Sequence, residues 1–188
     1  MAKKPSVIVI DNVLSDPQSY RNFALSHEFH EDNRFYKGYR TAGGCADIRF
    51  KEIFERHIGE RIATWNEYDT NGCFHLTWAG MPRVYHADHT DYAAALYLSP
   101  NAPLVGGTSF WQSRRTGVWT VEPDGVDAPA TFDNALLDQT QWEMADTVAN
   151  RFNRLVIWKS RLVHSVNEHF GYDQASGRLV QLFFFNVG

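Results

Sequence analysis

Residues 83–100 read RVYHADHTDYAAALYLSP, and this stretch contains the two features from which we predict the fold. The first is an apolar run at 92–98, which is typical of a buried strand and ends at a Ser-Pro turn. The second is a polar cluster just before that run, with two histidines and two aspartates at 86–91. This cluster is the densest group of polar residues in the chain, and it lies directly before the run that is read as a strand.

Further short apolar or alternating runs flank this stretch on both sides. They lie at 61–68, 72–78, 83–86, 108–111, 117–121, 154–166 and 178–187. Turn residues such as Asn71-Gly72 and Gly106-Gly107 separate them. Aromatic residues, which suit half-buried pleated surfaces, make up 14% of the chain. The pattern predicts a mainly β protein with flanking helices, whose core is a sandwich, a barrel or a jelly roll.

The first third of the chain is predicted to be mainly helical. Its expected elements are a strand at 6–10, a helix from an N-cap at Ser15 to about His27, and a helix over 50–58 that ends at Gly59. The segment 30–47 has no sustained period and reads as a loop, whereas 134–148 has helical character. A length of 188 residues fits one domain, with the helical part at about 1–60 and the β core at about 61–188.

The charge and cysteine content limit the partners and the compartment. The chain has 18 basic and 22 acidic residues and a net charge of −4, which argues against nucleic acid as a partner. No apolar stretch is long enough to span a bilayer, and the run at 7–10 is too short for a signal peptide. Cys45 and Cys73 are too few and too far apart for a disulfide framework. We therefore expect a cytoplasmic protein that does not enter a membrane.

The polar cluster contains a candidate metal site. Residues two apart in a strand face the same side, so His86 and Asp88 can direct one imidazole and one carboxylate at one point. His164, near the end of the run at 154–166, is the candidate third ligand. Two histidines and one carboxylate form a facial triad on iron that leaves positions open for substrate or dioxygen. A hydrogen-bonded core histidine remains the alternative for His164.

Two further residues, Arg178 and Tyr97, are candidate site residues. Arg178 begins the last run and shares a face with its apolar residues, and a guanidinium in such a place suits a carboxylate partner. The alternative is an arginine at the strand edge that pairs with Asp173. Tyr97 shares a face with Ala93 and Ala95, which leaves room for a hollow beside its hydroxyl group, although ordinary filling of a barrel interior explains the same pattern.

The ordered set of motifs resembles the iron(II)/2-oxoglutarate-dependent oxygenases, and within them the prolyl-hydroxylase-like branch. The motifs are His-x-Asp at 86–88, Tyr-Leu-Ser-Pro at 97–100, Gly-Gly-Thr-Ser-Phe-Trp at 106–111, Asn-Arg-Leu-Val-Ile-Trp at 153–158, His-Ser-Val at 164–166, and Gly-Arg-Leu-Val-Gln-Leu-Phe-Phe-Phe-Asn at 177–186. The resemblance covers about residues 83–186. It implies a double-stranded β-helix, a jelly roll with flanking helices.

The resemblance also implies the roles of the site residues and the reaction. His86, Asp88 and His164 hold Fe(II), Arg178 pairs with the distal carboxylate of 2-oxoglutarate, and Tyr97 donates a hydrogen bond to the same carboxylate. The implied reaction uses dioxygen to hydroxylate a small-molecule or peptidyl substrate, and it releases succinate and carbon dioxide. The carboxylate of Asp88 favours hydroxylation, because halogenating relatives lack it.

Alternatives remain for two ligands and for the function. His89 and Asp91 form a second His-x-Asp pair, and His169 is a second candidate for the distal histidine. We favour the first pair because it continues from Val84-Tyr85 and leaves a turn before the next strand, and we favour His164 because of its distance from the preceding strand. A cupin-like metalloenzyme that does not use 2-oxoglutarate, or a non-enzymatic jelly roll, are the other functional classes. Arg178 and Tyr97 argue against the first of these, and the intact triad against the second.

Overall fold

The computed structural model describes residues 5–31, 37–42, 45–122 and 124–188. The strands are β1 (Val7–Ile10), β2 (Phe29–Glu31), β3 (Tyr39–Thr41), β4 (Ile62–Thr64), β5 (Phe74–Thr77), β6 (Tyr92–Tyr97), β7 (Thr108–Ser113), β8 (Trp142–Val148), β9 (Leu155–Lys159), β10 (His164–Val166) and β11 (Arg178–Val187). The helices are α1 (Pro17–Leu25), α2 (Ile48–Ile58) and α3 (Asp127–Phe132). None of the helices in these ranges is long and apolar enough to cross a membrane.

The strands form two antiparallel sheets. In the main sheet the order is β1-β9-β6-β11-β5-β3-β2, and β4 pairs with the end of β11. The minor sheet has the order β10-β7-β8. Strands that are distant in sequence are neighbours in both sheets, which is typical of the Greek-key connections of a jelly roll.

The alternation of side chains in β6 separates two cores, one on each face of the main sheet. Ala94 and Leu96 face a core with Phe50 and Phe54 of α2, so the helices cover this face. Ala93, Ala95 and Tyr97 face the opposite core, which also contains Phe110 of the minor sheet. The second core therefore lies between the two sheets, and the mainly β fold with flanking helices that the sequence predicts is confirmed.

The two main helices occur where the sequence predicts them, with small shifts at their ends. The N-cap of α1 is Asp16, whose side chain accepts a hydrogen bond of 3.0 Å from the Ser19 amide, and not Ser15. Pro17 then occupies the first helical position, where its missing N–H is not needed. Helix α2 ends at Ile58, and Gly59 adopts the left-handed conformation with φ of 71°, as a C-terminal stop requires.

Other predicted elements are wrong or shorter than expected. The helix expected over 134–148 is wrong, because 142–148 form β8, which pairs along β7. The segment 30–47 is not entirely a loop, since it includes most of β2 and all of β3, while its residues 32–36 and 43–44 lie outside the described residues. The runs at 83–86 and 117–121 contribute only single bridges, at His86 and Thr120. In each case long-range pairing, which a local pattern does not contain, decided the conformation.

Candidate metal centre and its cavity

Backbone pairing brings the two parts of the candidate triad together. His86 forms an isolated antiparallel bridge with His164, the first residue of β10. The His86 amide donates to the His164 carbonyl at 3.1 Å, and the His164 amide donates to the His86 carbonyl at 2.8 Å. The Asp88 amide donates to the Ser160 carbonyl at 2.9 Å. These bonds place the His-x-Asp segment against the turn between β9 and β10, so the three side chains converge.

The possible ligand atoms of His86, Asp88 and His164 all lie within 4.8 Å of one another. His86 Nε2 is 3.7 Å from Asp88 Oδ1, and His164 Nε2 is 3.3 Å from Asp88 Oδ2. Adjacent ligands of one metal ion are separated by about 3 Å when each metal–ligand bond is near 2.1 Å. The spacing of the three side chains is thus close to that of a metal-binding facial triad.

Hydrogen bonds to the backbone fix the tautomers of both histidines. Nδ1 of His86 lies 3.0 Å from the Val84 carbonyl, and Nδ1 of His164 lies 2.8 Å from the Leu162 carbonyl. A carbonyl can only accept, so Nδ1 carries the proton and Nε2 presents a lone pair. This arrangement orients metal-ligating imidazoles in many metalloproteins.

The three converging atoms are therefore all hydrogen-bond acceptors. Asp88 Oδ2 is buried and makes no hydrogen bond to any described residue. When both imidazoles are neutral, their lone pairs and the carboxylate repel one another at such short distances unless a cation, either a metal ion or a proton on one Nε2, lies between them. The donor set, two neutral imidazoles and one carboxylate, is the set that iron(II) and similar divalent ions accept. The residues present thus fit a resident iron ion.

The electrostatics of the site favour the forms that bind a metal. Burial and the neighbouring His164 lower the pKa of His86 to about 4, so this ring is neutral at physiological pH. Burial raises the pKa of Asp88, but the interactions with His164, His86 and Arg40 outweigh burial, and the net pKa lies below its usual value. Metal ligands must be deprotonated, and both groups meet that condition without help from the ion.

The second His-x-Asp pair lies elsewhere. His89 is exposed, and its Nδ1 is 3.1 Å from Asp124 Oδ2. The carboxylate of Asp91 accepts a hydrogen bond of 3.0 Å from the Val187 amide, so it ties the start of β6 to the end of β11. Neither residue belongs to the cluster of possible ligands.

The triad lines a cavity of about 90 Å³ between the two sheets. One water molecule needs about 10–15 Å³ of such space, so the cavity has room for a small organic molecule. Its other lining residues are Lys37, Arg40, His75, Pro82, Val84, Ala95, Thr108, Trp158, Ser165, Val166, His169, Arg178, Leu182 and Phe184. Strands of both sheets contribute to this wall, as is typical of ligand sites between two layers.

Arg178 lies in this cavity and is only 5% exposed. Its Nε donates a hydrogen bond of 2.7 Å to the Gly106 carbonyl, and its guanidinium lies 5.7 Å from the centre of the Tyr97 ring. The two terminal nitrogens make no hydrogen bond to the part of the chain that the structure describes. Asp173 does not pair with Arg178, because its carboxylate accepts from Ser176 instead. A buried guanidinium whose terminal nitrogens face a cavity is prepared to bind an anion.

Tyr97 lies behind the cavity wall and contacts a residue of that wall. It is fully buried, burial raises the pKa of its hydroxyl group, and this group donates a hydrogen bond of 2.8 Å to Thr108 Oγ1. Thr108 lines the cavity, whereas Tyr97 is not among the lining residues. The hydroxyl hydrogen of Thr108 remains available, because its oxygen is the acceptor of the Tyr97 bond.

Three further residues that line the cavity, Arg40, His75 and His169, are not among the site residues that the sequence analysis favoured. His169, considered as a ligand, instead has Nδ1 at 2.8 Å from Thr77 Oγ1, and burial and Arg178 lower its pKa to about 4. His75 and Arg40 are direct partners on β5 and β3, and His75 is also opposite Val180 of β11. Direct partners in a sheet share a face, so both side chains lie on the inner side with Val180. This signal becomes readable only when the strand pairing is known.

Solved structures with the same fold extend these observations. HygX from Streptomyces hygroscopicus, solved with nickel and 2-oxoglutarate bound, is 12% identical and has a TM-score of 0.62, over 97% of this chain and 83% of its own. A prolyl hydroxylase from Trichoplax adhaerens, in complex with a hypoxia-inducible-factor peptide, is 16% identical with a TM-score of 0.55, over 96% and 83%. A Pseudomonas putida prolyl-4-hydroxylase is 14% identical with a TM-score of 0.55, over 97% and 94%.

These likenesses define the class of fold. The protein has the double-stranded β-helix fold of the iron(II)/2-oxoglutarate-dependent oxygenases, as the resemblance of its motifs implies. By sequence, the chain belongs to the family described as "Family of unknown function (DUF6445)", whose sequence model matches residues 1–185. Among curated proteins, no sequence matches this chain.

Proposed function

We propose that the protein is an iron(II)- and 2-oxoglutarate-dependent oxygenase that hydroxylates an amino-acid residue or a small metabolite. One observation carries the proposal: three metal-ligating acceptor atoms and a buried guanidinium with free terminal nitrogens line the same cavity. 2-Oxoglutarate has the two groups that such a cavity requires. Its keto-acid end can chelate a metal, and its distal carboxylate can pair with a guanidinium. The nickel and 2-oxoglutarate bound by HygX, which has the same fold, support this assignment.

Each residue of the triad has a defined part in this function. His86, Asp88 and His164 hold the iron through two Nε2 atoms and one carboxylate, and the carbonyls of Val84 and Leu162 hold the rings in the ligating tautomer. Three protein ligands leave the remaining coordination positions for 2-oxoglutarate and dioxygen. The Asp88 segment is fixed by Arg161, whose Nη1 donates a hydrogen bond of 2.5 Å to the Asp88 carbonyl.

The cosubstrate is oriented at the other part of the cavity wall. Arg178 offers its terminal nitrogens to the distal carboxylate, and Thr108 offers the hydroxyl hydrogen that its bond with Tyr97 leaves free. In this proposal Tyr97 positions Thr108 instead of touching the carboxylate itself. The apolar side chains of Leu182 and Phe184 line the remaining wall and exclude water from the reacting groups.

Bound iron(II) supplies the redox chemistry with dioxygen that the side chains cannot provide. In the overall reaction, 2-oxoglutarate loses carbon dioxide and becomes succinate. One oxygen atom of dioxygen enters succinate, and the other enters a C–H bond of the substrate as a hydroxyl group. The protein holds the reactants in place and excludes water.

Anaerobic titration of 2-oxoglutarate into the iron-loaded protein tests the proposal. Chelation by the keto-acid end produces a charge-transfer band in the visible spectrum, and we expect this band in the wild type. His164→Gln should lose it, because the substitution removes one of three ligands. His57→Gln, at an exposed position of α2, is the matched control and should keep it. The absence of a band in the wild type contradicts the proposal and favours a cupin-like metalloenzyme or a non-enzymatic jelly roll. An equal band in His164→Gln contradicts the assignment of His164 as a ligand.

The proposed location of the protein is the cytoplasm. Cys45 and Cys73 are both free thiols, and Cys73 is buried. Free thiols persist in reducing compartments, where iron(II) is also maintained. Alkylation of intact cells followed by mass spectrometry of the two cysteines tests the location, since a secreted protein exposes Cys45 to oxidation.

A further inference from the structure

Two basic residues of the cavity wall have no part in the function proposed above. Lys37 and Arg40 both line the cavity, and Arg40 is only 7% exposed. Iron takes the triad and 2-oxoglutarate takes Arg178, so neither of these two side chains is needed for the metal or the cosubstrate.

The chain around β3 is built to hold both residues at the cavity. Arg40 lies directly opposite His75, on the inner face of the main sheet, whereas Tyr39 packs with the helix-side core. Between Lys37 and Tyr39, Gly38 has φ of 132°. A Cβ atom at Gly38 would lie 2.8 Å from both His75 Nε2 and the Leu76 carbonyl, so only glycine lets the backbone lie this close to β5. This close approach places Lys37 at the cavity wall.

Positively charged side chains outnumber negatively charged ones among the described residues of the cavity wall. Among the described lining residues, Lys37, Arg40 and Arg178 are cations, and Asp88 is the single carboxylate. An iron(II) ion and a 2-oxoglutarate dianion carry equal and opposite charges, so their binding does not change the balance among these described residues. Arg40 also has contacts inside the protein, so its contribution to anion binding is its positive charge at the wall and not a free hydrogen-bond donor.

We infer that Lys37 and Arg40 bind an anionic group of the primary substrate, which is a carboxylate or a phosphate. This inference rests on the proposed function, and it names the substrate class for the same site. His86 and Asp88 line the same cavity as Lys37 and Arg40, so the anionic group lies in the cavity that contains the candidate metal centre. Leu182 and Phe184 provide an apolar surface in the same cavity. The substrate is accordingly a small organic anion with an apolar part.

Matched small molecules provide the test. The probes are hexanoate, hexyl phosphate and the neutral hexanamide, added to zinc-substituted protein saturated with 2-oxoglutarate, which blocks the metal and Arg178. Binding is measured by saturation-transfer NMR. We expect hexanoate or hexyl phosphate to bind about tenfold to a hundredfold more tightly than hexanamide, as a charge-assisted hydrogen bond predicts. Preference for one of the two anions identifies the carboxylate or the phosphate.

The second part of the test uses variants that change the charge of the cavity wall. Lys37→Glu should abolish the advantage of the anions, whereas Arg40→Lys should leave it in place, because an ammonium group keeps the positive charge. Arg56→Glu, at an exposed position of α2, is the control and should leave it unchanged. Thermal melting establishes that each variant is folded, and Lys37→Glu keeps the test valid if Arg40→Lys fails to fold.

The outcomes separate this inference from the proposed function. Equal binding of hexanoate and hexanamide, no binding of either anion at millimolar concentration, or unchanged anion binding in Lys37→Glu overturns the inference. The charge-transfer band of the iron-loaded wild type with 2-oxoglutarate is measured independently. A present band with no anion preference defeats only the inference, and an absent band with a clear anion preference defeats only the proposed function.

Discussion

Replacing Arg178 by alanine tests the carboxylate-binding part of the cavity directly. In the folded protein the guanidinium makes one hydrogen bond, from Nε to the Gly106 carbonyl, and its terminal nitrogens face the cavity. A bidentate pair with the distal carboxylate of 2-oxoglutarate adds two charge-assisted hydrogen bonds, each of about 1.5–3 kcal/mol. Removal of one partner from a buried charge pair costs about 3–5 kcal/mol in total, which is consistent with the loss of two such bonds, and we expect a loss of this size.

This loss corresponds to an increase in the dissociation constant of 2-oxoglutarate between about a hundredfold and a few thousandfold. The assay is the anaerobic titration of 2-oxoglutarate into iron-loaded protein, followed by the charge-transfer band. Iron binding should survive, because Arg178 is not a ligand. Arg178→Lys should recover only part of the affinity, since an ammonium group cannot form the fork.

Structural damage is distinguishable from the loss of a binding group. The Gly106 carbonyl keeps a partner in Arg178→Ala, because Asn150 Nδ2 also donates to it at 3.0 Å. Arg21 is a matched control: it is equally buried, and its guanidinium donates to the Leu98 and Ala175 carbonyls instead of facing the cavity. Arg21→Ala should lower the melting temperature and leave the affinity for 2-oxoglutarate near that of the wild type. Unchanged affinity in Arg178→Ala, or an equal loss in Arg21→Ala, refutes the reasoning.

Two further predictions follow from the histidines of the site. His86→Ala should weaken iron binding by more than about a hundredfold, because it removes a ligand. His89→Ala should bind iron like the wild type, since His89 pairs with Asp124 at the surface. Metal analysis after anaerobic loading measures both variants, and an equal loss of iron in the two contradicts the assignment. The pKa of His169 is lowered to about 4 in the folded protein, so between about pH 6.5 and 4 the unfolded chain binds more protons than the folded one. The free energy of unfolding therefore falls as the pH falls through this range. The part of this fall that is due to His169 approaches about 3 kcal/mol. Urea unfolding of the metal-free protein at a series of pH values should show a shallower pH dependence of the free energy of unfolding in His169→Gln than in the wild type. An identical pH dependence in both proteins contradicts the role of His169.

The sequence predicted most of the strands, because side-chain alternation is a local property of the extended chain. The run at 92–98 shows on its own which residues share a face, and the structure confirms that Ala93, Ala95 and Tyr97 face one core and Ala94 and Leu96 the other. The spacing of His86 and Asp88 likewise indicated that the two side chains meet, and the structure brings them within 3.7 Å. Local capping also predicted α2, since Gly59 in the left-handed conformation ends that helix.

Long-range pairing decided what the local pattern could not. The segment expected to be a helix over 134–148 contains β8 because its backbone donors and acceptors find partners on β7, which lies about 30 residues earlier in the chain. The local pattern cannot show this, because β8 is an edge strand whose residues 143–147 are all exposed, so no buried face marks it in the sequence.

The sequence by itself determined which residue types could form the site, and the tertiary structure determined which of them meet. Two His-x-Asp pairs stand side by side in the chain, and the bridge between His86 and His164 places the first of them beside the distal histidine. Arg40 reaches the cavity because β3 pairs with β5, and Thr108 stands between Tyr97 and the cavity because β7 lies in the opposite sheet. A period of two residues assigns side chains to two faces, but only the pairing of distant strands decides what each face meets, since those contacts join parts of the chain that no local pattern connects.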